Sequence, residues 1–214
     1  MGRRLTLPLV ESFRHALPKA RLVIVEGLSN HLTEWIATGR VDLGLVLNPE
    51  PNAAIEVTRI LDEPLGLVGP RGKQGKGGKG DKSTSVTLGE LVTYPLILPE
   101  RSHALRKLLE TQAALSSIKL DVSLEVSSVQ SILDLVAAGY GYAVLSRTAL
   151  RASGRPDAFN FRTLSKPALT STFFLAVSAY KPMTPLGRQA FRLLQDLVVA
   201  SAHEDSTPIS KRDS

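Results

Sequence analysis

The chain of 214 residues contains no cysteine. That excludes disulfides, thiolate zinc sites, a cysteine nucleophile and any cofactor linked through sulfur. It also lacks an apolar run approaching the roughly 18 residues that a membrane helix needs. The opening stretch, MGRRLTLPLVESFRHALP, has two arginines and then Pro8, Glu11 and Arg14. It shows neither an apolar h-region nor a small-residue cleavage site, so it does not read as a signal peptide. A cytoplasmic protein without membrane contact is the expectation. No G-x-S-x-G elbow is present, since Gly27-Leu28-Ser29-Asn30-His31 fails at its last position. His15, His31, His103 and His203 show no metal-ligand spacing. The chain therefore offers no catalytic set and calls for no metal or cofactor, which leans toward binding without turnover.

A basic stripe is missing too. The formal charge is +6, but Arg71, Lys73, Lys76, Lys79 and Lys82 against Asp81, together with Arg3 and Arg4, account for all of it. The basicity lies in one loop and one terminus. A folded nucleic-acid binder more often shows a basic face with interleaved aromatics, so direct nucleic-acid binding by this chain is not expected. The segment RGKQGKGGKGDKSTS, 71–85, reads as a flexible solvated loop. Gly75 to Gly80 has the glycine spacing of a phosphate loop, but Asp81 stands where the motif needs lysine, and that reading is rejected.

What is present is alternation. Hydrophobic residues make up 43% of the chain, enough for a globular core. Residues 5–17 have helical spacing, and Pro18 ends that helix. RLVIVEG, 21–27, is apolar and β-branched and predicts a buried strand. A helix from Ser29 or Asn30 stops at Gly39, and the strand 41–47 follows. IEVTRIL and PLGLVGP continue as extended segments. After the loop come a short helix, a strand over 95–99, a helix from Ser102 to about Leu115 and a strand over 121–126. A helix from Ser127 or Ser128 then ends at Gly139 and leads into YGYAVLS. Irregular chain through Pro156 precedes a strand over 171–178, a final helix from Pro185 to about Ala202, and a polar tail expected to be disordered from about 203.

The unit LTEWIATGRVDLGLV and its echo SILDLVAAGYGYAVLS imply two similar α/β lobes with parallel sheets. Lobe I would take residues 1–66 plus 170–214, and lobe II residues 67–169. Ligands in such sheets bind beyond the carboxyl ends of the strands, so a cleft is expected between the lobes. Three predicted helix starts face it: Ser29-Asn30, Ser102-His103 and Ser127-Ser128. Exposed N–H groups and the positive end of a helix dipole suit a small anion or carboxylate. Each serine could equally be an ordinary N-cap. Arg101 and Arg106 flank the second start, and Arg106 could grip a carboxylate in bidentate fashion or simply be a solvated helix arginine.

Several stretches resemble the effector-binding domain of LysR-type transcriptional regulators. They are LTLPLVESFRHALPKARLVIVEGLSNHLTEWIATGRVDLGLVLNPEP, PLILPERSHALRKLLE and EVSSVQSILDLVAAGYGYAVLSRTAL. The resemblance spans about residues 3–200 and is most specific from Glu26 to Leu45. The LP-x-R-x-H-x-L-R stretch looks most like the branch of nitrogen-assimilation and cyanate-type regulators. The resemblance implies a type-2 periplasmic-binding-protein fold and a metabolite in the cleft. It also implies a homodimer or homotetramer, and DNA contact only through an N-terminal winged helix-turn-helix that this sequence does not contain. By position it puts effector contacts on Ser29, Asn30, Arg101, Ser102, His103, Ser127 and Ser128. It further implies that the first strand of lobe I is missing, which would weaken that lobe. A transporter's solute-binding protein and a dehydratase-type enzyme on the same fold are the alternatives.

Overall fold

The computed structural model describes residues 2–71 and 84–206. The Lys/Gly segment 72–83, including the glycine pattern discussed above, and the tail 207–214 lie outside the described residues. In chain order the elements are α1 (Gly2–Ala16), α2 (Ser29–Ala37), β1 (Leu43–Leu47), β2 (Ile55–Pro70) and β3 (Ser85–Thr87). A 3-10 turn over Gly89–Thr93 leads to β4 (Leu96–Leu98), α3 (Ala104–Leu115), β5 (Val122–Glu125), α4 (Val129–Ala138), β6 (Ala143–Ser146) and α5 (Arg147–Ala152). A second such turn, β7 (Phe159–Ser165), β8 (Thr170–Ser178) and α6 (Pro185–Ser206) complete the chain.

The apolar residues sort into separate cores. Leu5 of α1, Leu175 of β8, and Leu194 and Val198 of α6 pack together. Ile36 of α2, Val46, Ile55 and Ala176 form a neighbouring cluster. The split follows the two-residue period of a strand: Leu175 faces α1 and α6, while Phe174 and Ala176 face α2. The larger core draws only on residues between Leu65 and Leu169, with α3 and α4 packing on β4 and β6. Gly139 closes α4 in the left-handed conformation at φ 86, which glycine adopts without the Cβ penalty.

One long strand joins these cores. Residues Ile55–Pro64 of β2 pair antiparallel with β8, and Leu65–Pro70 pair antiparallel with β6 and β7. The order β1-β8-β2-β7-β3, with β6 off the path, is therefore a mixed sheet, and a two-stranded parallel sheet β4-β5 sits apart. This corrects the expectation of parallel sheets. Among the described residues parallel pairing is confined to β3 with β7, β4 with β5, and a single bridge from Leu96 to Tyr142. The connecting strands β2, β7 and β8 run back against their neighbours, which alternation in sequence does not reveal.

The segment 21–27 corrects a second expectation. It carries no strand or ladder, and Val23, Ile24 and Val25 are 68%, 40% and 41% exposed. Among the described residues β1 pairs only with β8, so its other edge is left without a ladder. A β-branched run favours extended backbone, but a strand needs a neighbour for its N–H and C=O groups. None among the described residues supplies one.

Candidate functional site

A cavity of about 980 Å³ opens between the two cores and continues into the smaller one between 21–27 and β1. Four helix starts reach its wall: Ser29 at α2, His103 at α3, Ser128 at α4 and Ser146 at α5. Backbone N–H groups left over at these turns present partial positive charge.

Each start is built differently. Ser29 is not the cap of α2, as the sequence suggested. The residue before the helix is Leu28, which offers no side-chain cap. The Ser29 hydroxyl instead accepts the Leu47 N–H at 2.9 Å, fastening the end of β1 to the start of α2. His103 caps α3, its Nδ1 accepting the Leu105 N–H at 3.2 Å. Burial holds the His103 pKa below its ordinary value, against a smaller opposing pull from Glu100. The neutral ring then carries its proton on Nε2, leaving a donor beyond the cap. Ser128 caps α4 by accepting the Ser131 N–H at 3.5 Å. Ser146 caps α5 in the same way from Ala149.

The other sequence candidates lie off this wall. Asn30 is exposed, and its carbonyl accepts the Thr33 hydroxyl. Ser102 and Ser127 are exposed. Arg101 points to solvent and stands 3.9 Å from Glu110. Arg106 is 2% exposed. It forms an ion pair with Glu110 at 2.7 Å and donates to Glu125 at 3.5 Å and to the Pro99 carbonyl at 3.3 Å. It clamps α3 to the ends of β4 and β5 rather than facing a ligand.

Sequence reasoning passed over the floor of the cavity. Glu63 of β2 and Ser171 of β8 both line it, and both are buried. They are partners in the antiparallel ladder. On the next rung, Asp62 is tied to Arg59 and accepts the Thr172 hydroxyl, and both bonds hold its carboxyl below the usual value. Among the described residues no group of three or more acidic, histidine or cysteine side chains is arranged to hold a metal. No described helix is long and apolar enough to cross a membrane.

The chain matches the LysR substrate binding domain family over residues 1–198. It belongs to that family. Among curated relatives, the nitrogen assimilation regulatory protein nac of Klebsiella aerogenes is 26% identical over 91% of this chain and 61% of its own length. The HTH-type transcriptional activator CmpR of Synechocystis is 26% identical over 72% of this chain and 49% of its own. The chain thus spans about three fifths, or less, of the regulators it matches. Among solved structures, the Synechocystis CcmR regulatory domain in complex with 2-PG superposes with a TM-score of 0.79 at 18% identity, covering 92% of each chain. The effector binding domain of a BenM variant gives 0.77 at 20%, covering 95% of this chain and 91% of that one. The fold of this LysR domain is the two-lobed α/β, type-2 periplasmic-binding-protein fold that the sequence resemblance implied.

Proposed function

We propose that this LysR domain is the effector-sensing part of a bacterial transcriptional regulator and binds a small anionic metabolite in its cleft. The observation that carries the reading is the convergence of helix starts on one cavity, with neutral His103 as a further donor. Ser29, His103 and Ser128 are the contacts retained from the sequence candidates, joined by Ser146. The lobes are taken as 1–66 with 170–214 and 67–169; the separate cores support a division near there, with Leu65 already packed in the larger one. An anion gripped by helices from both lobes favours one relative arrangement of them. In a homodimer or homotetramer that bias passes to a DNA-binding domain outside this chain. The relatives are transcriptional regulators, which supports binding without catalysis and a cytoplasmic setting.

The test is thermal unfolding of the 214-residue chain against small phosphorylated anions, 2-PG among them, and carboxylic, keto and amino acids. A ligand at a hundredfold its Kd adds about 2.7 kcal/mol. For a chain of this size that raises Tm by about 5–10 °C. His103→Ala should weaken the shift without abolishing the fold. A cooperative melt that no anion moves would overturn the proposal.

A further inference from the structure

Among the described residues, four buried side-chain atoms have no hydrogen-bond partner: Asn48 Nδ2, Glu63 Oε1, Arg106 Nε and Ser171 Oγ. Arg106 and Asn48 lie off the cavity wall. Asn48 is engaged through its Oδ1, which accepts the Thr172 N–H at 2.8 Å. Glu63 and Ser171 are different. They sit opposite each other on β2 and β8, where the two strands cross between the cores, and both line the cavity. They are 8% and 3% exposed. Their unpartnered oxygens do not bond to each other. Among the described residues no cationic side chain forms an ion pair with Glu63. A buried carboxylate oxygen without a donor is destabilising, and native proteins keep such groups mainly where something else uses them.

We infer that Glu63 and Ser171 are the cation-reading floor of the cleft and that its ligand is a zwitterion, a small acid that also carries an ammonium group. This rests on the reading of the cleft as an effector site. The anionic end lies toward the helix starts at His103 and Ser128. The ammonium lies on Glu63 Oε1 and Ser171 Oγ. An ammonium has three donors and can serve both oxygens at once, and its charge offsets that of the carboxylate. A hydroxyl has one donor and no charge. The site thus selects amino acids over their deaminated counterparts by leaving Glu63 unsatisfied when the amine is missing.

Two measurements on the 214-residue chain test this. The first compares unliganded Tm for the wild type and Glu63→Met. If Glu63 is held for a ligand, the variant melts a few degrees higher. If Glu63 is satisfied within the fold, for instance by a trapped water, the variant melts lower and the inference fails. The second is calorimetric titration with matched pairs: glycine and acetate, L-alanine and propionate, L-glutamate and glutarate. At least one amino acid should bind about tenfold or more tightly than its partner. Glu63→Met should erase that difference, and Ser171→Ala should reduce it. Equal binding within every pair would remove the ammonium while leaving the small-acid reading of the cleft intact. If no member of any pair binds, the carboxylate class and the zwitterion fall together.

Discussion

Replacing Arg106 by Met separates a structural arginine from a ligand-binding one. The side chain is almost wholly buried, yet its carboxylate partners Glu110 and Glu125 keep 38% and 50% exposure. Both can return to water when the guanidinium is removed. Each pair is therefore to be valued near the surface end, about 0.5–1 kcal/mol. The bond to the Pro99 carbonyl adds about 1–2 kcal/mol. Against this, the unpartnered Nε already costs about 1 kcal/mol or more, and Met fills much of the volume. The net expectation for Arg106→Met is a loss of about 0–2 kcal/mol. Arg106→Ala adds a cavity and should lose about 2–4 kcal/mol more. Urea unfolding reads both as shifts of midpoint at unchanged slope. The affinity of Arg106→Met for any small acid found to bind should match the wild type. Loss of that affinity with stability intact would refute the clamp and return Arg106 to the ligand.

Between pH 7 and 5 the His103-dependent part of stability should fall as pH falls. Its folded pKa lies below the unfolded one, so the unfolded chain binds more protons in that window. Urea midpoints for His103→Asn, which keeps a cap acceptor, should be flatter over the same range. Gly66→Ala should cost about 1–3 kcal/mol or more, since its Cβ would lie 2.4 Å from Phe161 Cζ and 2.5 Å from the Arg162 carbonyl; an unchanged Tm would contradict the register of β2 on β7. Ser29→Ala should cost about 1 kcal/mol by stranding the Leu47 N–H, with faster amide exchange at Leu47 as the local signature. Val23→Thr should change stability by no more than about 0.5 kcal/mol; a loss above 2 kcal/mol would mean that 21–27 is packed as a strand after all.

Helices and their stops were the legible part of this chain. Gly139 ended α4 where expected because an αL residue is a local demand. The final helix was found from its apolar spacing, although it runs on to Ser206. Pairing was not legible. LVIV has the composition of a strand, but no local signal states whether a partner lies beside it. FNFRTLS drew no assignment after the irregular chain through Pro156, yet β2 captures it as β7. Local logic located the helix starts at His103 and Ser128 because capping is a short-range property. It misplaced Arg106, whose burial depends on Glu125, nineteen residues away. It missed Glu63, because an acid beside a proline in LDEPL looks solvated. Only the pairing with Ser171, more than a hundred residues on, puts that acid inside.

The continuity of β2 bears on how the molecule comes apart. One 16-residue strand gives its first part to the ladder with β8 and its last six residues to β6 and β7. The two ladders are separate, but both cores hold the same strand, and Leu65, the joint, is itself hydrogen-bonded to Leu169 at 2.8 Å. The two bodies should thus lose structure in a single transition rather than in sequence. Protection of the β2 amides against hydrogen exchange should report the global free energy along the whole strand, and a ligand touching one side should be felt as added protection on the other.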